Sequence, residues 1–199
     1  MTTAEGGSDG DAVLIRHGET AWSLSGQHTS TTDLPLTGNG RLAAQRLAPV
    51  LATMEWAMVL CSPRQRALQT CQLAGLGDRV RIEEDLAEWN YGAFEGLTSA
   101  EIDQRHPGWL LFEAGAPGGE TPHQVGERVD RVIARVRNAE GRVALFAHGH
   151  VLRVFAARWI GLPPGHGRHF LLNTSTLSVL SYYRGIPAVK GWNAPGGEA

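Results

Sequence analysis

Ala12-Val13-Leu14-Ile15, followed at once by Arg16-His17-Gly18-Glu19-Thr20, is an apolar run that ends abruptly in a guanidinium, an imidazole and a glycine. Four apolar residues in a row, with no polar alternation, read as a strand buried on both faces. The pattern recurs. Ala57–Cys61 runs into Ser62-Pro63-Arg64, and Val143–Ala147 runs into His148-Gly149-His150. Leu177–Tyr183 is a fourth strand candidate.

Helical patterns lie between the strands. Ser62 can cap and Pro63 can open a helix whose face carries Ala67, Cys71 and Ala74. Thr121-Pro122 opens another, striped by Val125, Val129, Val132 and Val136, with Gly141 where it should stop. Arg128, Arg131, Arg135 and Arg137 read as the solvated face of that helix. Val151–Ile160 is a third helix and Leu42–Met54 a fourth, in which Pro49 marks a kink or a first turn. Strand–helix alternation predicts a three-layer α/β sandwich with a largely parallel sheet between helices. Ligands of such sheets bind beyond the carboxyl ends of the strands, where the arginines and histidines gather.

The whole chain sets the bounds. Its 199 residues and 42% apolar content suit one packed domain, predicted over residues 12–192, with mobile tails at 1–11 and 193–199. A balance of 18 basic to 20 acidic residues argues against nucleic acid as partner. Two cysteines are too few for a disulfide framework or a four-cysteine zinc site. The one lysine, Lys190, precedes Gly191, so there is no phosphate loop of the G-K-[ST] kind. All other basic residues are arginine, the side chain suited to bidentate anion recognition. The start, Met1 to Asp11, has neither a basic nor an apolar stretch, which predicts no secretory signal and a cytoplasmic protein. No apolar run approaches the roughly 20 residues of a membrane span.

A histidine at a strand end, before a glycine and beside an arginine, can present neutral imidazole to a phosphorus atom held by a fixed fork of N–H donors. Alone, R-H-G is ordinary turn sequence. With Arg64 and His148 at equivalent topological positions, it predicts a phosphoryl site.

Six segments carry a resemblance. They are Leu14–Thr20, Asp33-Leu34-Pro35-Leu36-Thr37-Gly38, Cys61-Ser62-Pro63-Arg64-Gln65-Arg66-Ala67-Leu68-Gln69-Thr70, Leu86–Gly96, Gly118-Gly119-Glu120-Thr121 and Ala147–His150. In order and content they resemble the histidine phosphatase superfamily, the phosphoglycerate mutase-like family, from about Val13 to Tyr182. The resemblance implies that His17 becomes phosphohistidine and that Arg16, Arg64 and His148 clamp the phosphoryl group. It implies that Glu88 protonates the leaving oxygen and later helps activate water. It places Ser23, Gln27, Thr29, Ser30 and Gly149 toward substrate. Metals and cofactors are not required by it. The partner is a small phosphorylated metabolite, with no nucleic acid and no membrane; a homodimer is compatible with it.

Mutases of the family carry a long basic insertion after the glutamate motif. Here Gly92 to Gly118 is short and holds one basic side chain, Arg105. This favours hydrolysis and the phosphatase branch, near the small acid phosphatases and sugar-bisphosphatases, with sugar phosphates among the candidate substrates. The alternatives are a mutase-type phosphotransferase, a non-catalytic phospholigand-binding protein, and a metallohydrolase using His17, His148, His150 and Asp33. Arginines beside the histidines, and the lack of any H-E-x-x-H spacing, oppose the last.

Overall fold

The computed structural model describes residues 10–196. In chain order the elements are β1 (Ala12–Arg16), α1 (Ala21–Ser25), α2 (Gly38–Gln45), α3 (Ala48–Ala52), β2 (Met58–Cys61), α4 (Gln65–Leu73), β3 (Val80–Ile82), α5 (Ser99–Arg105), α6 (Leu111–Ala114), α7 (Pro122–Arg137), β4 (Val143–Ala147), α8 (Gly149–Trp159), β5 (Thr176–Tyr183) and β6 (Ile186–Pro195). One sheet holds the six strands in the order β3-β2-β4-β1-β5-β6. The first four are mutually parallel, and β5 and β6 add antiparallel at one side. This is the mostly parallel α/β sandwich that the strand–helix alternation predicts.

Alternation along the strands builds two cores. Ala12, Leu14, Leu60, Val143 and Leu145 point to the layer of α7 and α8, against Val129, Val132, Phe155 and Trp159. Val13, Ile15, Val59, Cys61, Ala144 and Phe146 point to the opposite layer, against Leu47, Leu51, Ala67 and Cys71. Both faces are covered, so uninterrupted apolar strands are what this sheet needs.

Helix boundaries follow local chemistry. Thr121 and Gln124 form a capping box, with Pro122 in the first turn of α7. The helix read over Leu42–Met54 is two: α2 ends at Gln45, and Pro49 sits in the first turn of α3, where a missing N–H costs nothing. Ser62 does not cap α4. Arg64 occupies that position without a side-chain bond, and Asp33 from a distant loop accepts from Gln65 N at 2.9 Å instead.

The tail boundaries differ from the expectation too. Asn193–Pro195 belong to β6, and Thr176 pairs with Pro195. Asp11 is buried and accepts from Ser181 Oγ at 2.6 Å. The remaining tail positions, 1–9 and 197–199, lie outside the described residues. Among the described residues, no helix is long and apolar enough to cross a membrane.

Candidate active site

Parallel pairing sets the site. Arg16 lies opposite Ala147 in the β1–β4 ladder, and His17 N donates to Ala147 O at 2.9 Å, so His17 and His148 leave adjacent strand ends side by side. Ser62 N donates to Phe146 O at 2.9 Å and brings the end of β2 to the same edge. The two imidazoles meet edge to face with centroids 5.1 Å apart.

His17 is buried, and its Nδ1 lies 2.7 Å from Gly18 O. A carbonyl only accepts, so Nδ1 carries the proton and Nε2 keeps its lone pair. Burial, then the charges of Arg66 and Arg16, hold the imidazole well below the ordinary histidine range. The ring is therefore neutral at neutral pH. Gly18 N is tied to Thr70 Oγ1 at 3.0 Å, which anchors the following peptide to α4.

His148 has the opposite tautomer. Arg66 Nε donates to its Nδ1 at 3.1 Å, so the proton sits on Nε2, which donates to Ser62 Oγ at 2.7 Å. Burial first, then Arg66, lowers its pKa well below the usual value. Arg66 itself is fully buried and also donates to the carbonyls of Thr32, Thr29 and Ser30 at 3.2, 3.1 and 3.4 Å. It is the residue that the sequence reading left without a role. Arg64, nominated there, sits one turn edge away at the start of α4, near enough for its charge to bear on His148. The Nε atoms of Arg16 and Arg64 are both buried without a hydrogen-bond acceptor. Arg16 Nη1 donates to Leu172 O. A Cβ on Gly149 would lie 3.3 Å from the Arg16 guanidinium carbon, so a glycine here lets the arginine lie flat on the backbone.

Glu88 is buried, but not in an apolar setting. Its carboxylate accepts from Trp89 N at 2.9 Å, Val151 N at 2.9 Å and His150 N at 3.0 Å, the last two in the first turn of α8. The segment bearing it is braced from behind. Arg128 grips Glu120 with two bonds of 2.8 and 3.0 Å and donates to the carbonyls of Asp85 and Ala87. Glu120 in turn accepts from Asn90 N at 2.8 Å, and its carbonyl from Trp89 Nε1 at 2.9 Å. Arg131 and Arg135 pair with Asp85 and Glu83. The arginines of α7 read as solvated are thus partly a clamp: Arg128 is buried, because the 83–88 segment offers it carbonyls and carboxylates.

A cleft of about 190 Å³ opens in front of this group. Arg16, His17, Glu88 and Gly149 line it, as do Ser23 of α1 and Gln27 and Thr29 of the loop after it, with His28, Tyr91, Ser99, His150 and Arg153 on the remaining walls. Ser62, Arg64, Arg66 and His148 are not among the residues that line it. Ser23 also closes the capping box of α1, donating to Thr20 O at 3.1 Å and accepting from Thr20 N at 2.9 Å. Ser30 does not line the cleft. Its hydroxyl donates to Glu88 O at 3.2 Å, and its N–H is held by the Glu95 carboxylate. The sequence does not place Tyr91 or Arg153 in the cleft, and it leaves His28 open between substrate and solvent and the role of His150 open. Tyr91 OH is 2.6 Å from His150 Nδ1, and the His28 and His150 rings lie parallel with centroids 6.0 Å apart.

Residues 12–195 match the family model of the histidine phosphatase superfamily, branch 1. The chain belongs to that superfamily. An acid phosphatase of Mycobacterium tuberculosis is 39% identical over 178 residues, covering 87% of each chain. A sedoheptulose 1,7-bisphosphatase of Saccharomyces cerevisiae is 40% identical over 183 residues, covering 75% of this chain and 67% of its own. Among solved structures, a Mycobacterium tuberculosis protein superposes with a TM-score of 0.89 at 37% identity, covering 94% of this chain and 98% of that one. A mycobacterial glucosyl-3-phosphoglycerate phosphatase in complex with VO3 superposes with a TM-score of 0.82 at 28% identity, covering 92% and 98%. As a member of the histidine phosphatase superfamily the chain is a phosphatase, and its strand ends carry the histidines and arginines accordingly.

Proposed function

We propose that this histidine phosphatase hydrolyses small phosphomonoesters, sugar phosphates among them, through a phosphohistidine at His17. The tautomer of His17 carries the reading: with Nδ1–H held by Gly18 O, the lone pair on Nε2 is the free nucleophile of a buried, neutral ring at the wall of the cleft.

In the first step Nε2 forms the N–P bond as the P–O ester bond breaks, and Glu88 gives a proton to the departing oxygen. In the second, water attacks phosphorus, its proton passes to Glu88, and the N–P bond breaks to release phosphate. Charge on the transferring group is spread over its equatorial oxygens, so catalysis is chiefly positioning and electrostatic stabilisation. Arg16 and Arg64, whose Nε donors lack acceptors, supply that field together with Arg66 and the Nε2–H of His148. Ser23, Gln27, Thr29 and Gly149 face the substrate, while Ser30 holds the Glu88 segment. The relatives named for an acid phosphatase, a sugar bisphosphatase and a glucosyl-3-phosphoglycerate phosphatase support small phosphorylated metabolites as substrates.

The test is rapid-quench labelling with a radiolabelled monoester and mapping of the acid-labile phosphate. Label on His17, lost in His17→Ala, is the expected result. Label on His148 or Ser23, or a burst without label, overturns the proposal.

A further inference from the structure

Glu88, the proposed proton donor, has a stronger base beside it. Its Oε1 accepts from Trp89 N and Val151 N, both at 2.9 Å, and its Oε2 from His150 N at 3.0 Å. Three N–H donors leave one in-plane lone pair open, on Oε2, so a proton carried by Glu88 sits there. Oε2 lies 3.8 Å from Nδ1 of the His150 ring. An imidazole with its ordinary pKa of about 6.5 outcompetes a carboxylate with its ordinary pKa of about 4.3 for one proton by about a hundredfold. Were Nδ1 to take that proton, an imidazolium–carboxylate pair would form on the cleft wall, and Glu88 would have nothing to give the departing oxygen.

The site blocks that transfer at the atom concerned. Tyr91 OH lies 2.6 Å from His150 Nδ1. Tyr91 is buried, and burial, then the charge of Glu88, hold its phenol protonated well above the ordinary range. A phenol that keeps its proton donates it, so Nδ1 accepts and carries none of its own. The rings are held in this arrangement by their neighbours. His28 meets Tyr91 edge to face with centroids 4.8 Å apart and lies parallel to His150 at 6.0 Å. Phe112 of α6 closes another side of the His150 ring, with centroids 5.4 Å apart.

The charges that bear on the ring work in the same direction. Burial comes first, then Arg153 on α8, His28 in the loop after α1 and Arg16 at the end of β1, and all of them oppose an imidazolium. Glu88 is the one carboxylate that lines the cleft, and the bond from Tyr91 fills the very nitrogen that lies 3.8 Å from it.

We propose that Tyr91 is a positioning residue for the acid step: by capping Nδ1 of His150 it keeps the proton on Glu88. It acts through His150 and not on the transferring group. This rests on the reading of Glu88 as the proton donor.

Tyr91→Phe keeps the ring and removes the cap. The experiment compares phenyl phosphate, whose leaving phenolate is helped by a proton, with p-nitrophenyl phosphate, whose phenolate departs without one. The variant should slow phenyl phosphate about tenfold more than p-nitrophenyl phosphate, in kcat rather than KM, a part of the about 10²-fold or more that a general acid supplies. Tyr91→Phe/His150→Asn, which also removes the competing base, should bring the ratio of the two esters back to within about threefold of the wild type. Nitrogen-detected NMR gives a readout apart from turnover. The wild-type His150 Nδ1 should show the signature of a hydrogen-bond acceptor down to about pH 6, and in Tyr91→Phe that ring should be protonated at neutral pH. Equal slowing of the two esters by Tyr91→Phe, a double variant no better than the single one, or a wild-type His150 ring already protonated at neutral pH overturns the proposal. Should Tyr91→Phe not fold, the wild-type spectrum decides. Failure of the reading of Glu88 itself has a different signature: Glu88→Gln would leave the ratio of the two esters as it is in the wild type.

Discussion

Replacing Arg66 by methionine keeps an unbranched apolar stem, shorter by the guanidinium, and removes every donor. Four consequences can be worked out. The carbonyls of Thr29, Ser30 and Thr32 lose their donor. An orphaned acceptor costs about 1–3 kcal/mol, but the bonds to Thr29 and Thr32 are only part-buried, the buried one to Ser30 is long at 3.4 Å, and the variant also relieves the burial of a cation, so the net loss of stability should be about 2 kcal/mol. His148 Nδ1 loses the N–H that kept it unprotonated, so its proton is no longer confined to Nε2. Arg66 is the charge that most depresses the His17 pKa after burial itself, so the acid limb of kcat/KM should move to higher pH. Loss of a preorganised donor beside the transferring group should lower kcat/KM by about 10²–10³. Urea denaturation, nitrogen-detected NMR of the imidazoles and pH profiles with p-nitrophenyl phosphate read these separately. A stable Arg66→Met protein with near-normal kcat/KM and an unchanged His148 tautomer would refute the reasoning. If Arg64→Ala shows the larger loss, the clamp belongs to Arg64 and Arg66 only shapes the fold.

The brace behind Glu88 gives a second expectation: Glu120→Gln, which keeps the shape but weakens the grip of Arg128, should destabilise the protein by about 1–3 kcal/mol and slow unactivated alkyl esters more than p-nitrophenyl phosphate. Equal slowing of both ester classes would detach Glu120 from the positioning of Glu88. The third concerns pH. His17 works neutral and its folded pKa lies well below the ordinary value near 6.5, so kcat/KM should hold through pH 6 and fall only in more acid solution. His17 and His148 are both depressed by burial, so the unfolded chain takes up protons first. Their stabilising contribution is complete above about pH 6.5 and is lost as pH falls from there toward the folded values, with a slope of at most about 1.4 kcal/mol per pH unit for each ring. An acid limb at 6.5 or above, or urea midpoints identical at pH 7.5 and 5.5, would contradict the buried neutral rings.

What can be read from the chain follows from which physical signals are local. The strands that carry the site are continuous apolar runs because both faces of the sheet are covered, and β1 and β4 lie close to where those runs begin and end. β3 escapes such a reading because two of its three side chains are exposed and no apolar run exists. β6 escapes it because Pro187, Gly191 and Pro195 break every pattern in an edge strand that needs only one partner. The same distinction separates the two arginines before α4. Counting residues after a strand brings Arg64 to the sheet edge. Which side chain turns inward depends on the rotation of α4, whose buried face is Arg66, Ala67, Thr70 and Cys71. The stripe of Ala67, Cys71 and Ala74 already contained that rotation: Arg66 and Thr70 each stand one residue before a stripe position and four apart, hence on the flank of the inward face. An arginine on such a flank is buried only if something accepts its protons, and the acceptors come from His148 and from the carbonyls of residues 29, 30 and 32, none of them near it in sequence. Arg128 on α7 repeats the case, three residues after Val125 and buried against Glu120 and two carbonyls. Charge in a helix pattern therefore reads as solvated until the fold shows an acceptor. The chemistry of the strand ends was legible because it needs only topology. The clamps that hold it, and the walls that choose a substrate, needed side-chain directions that only packing decides.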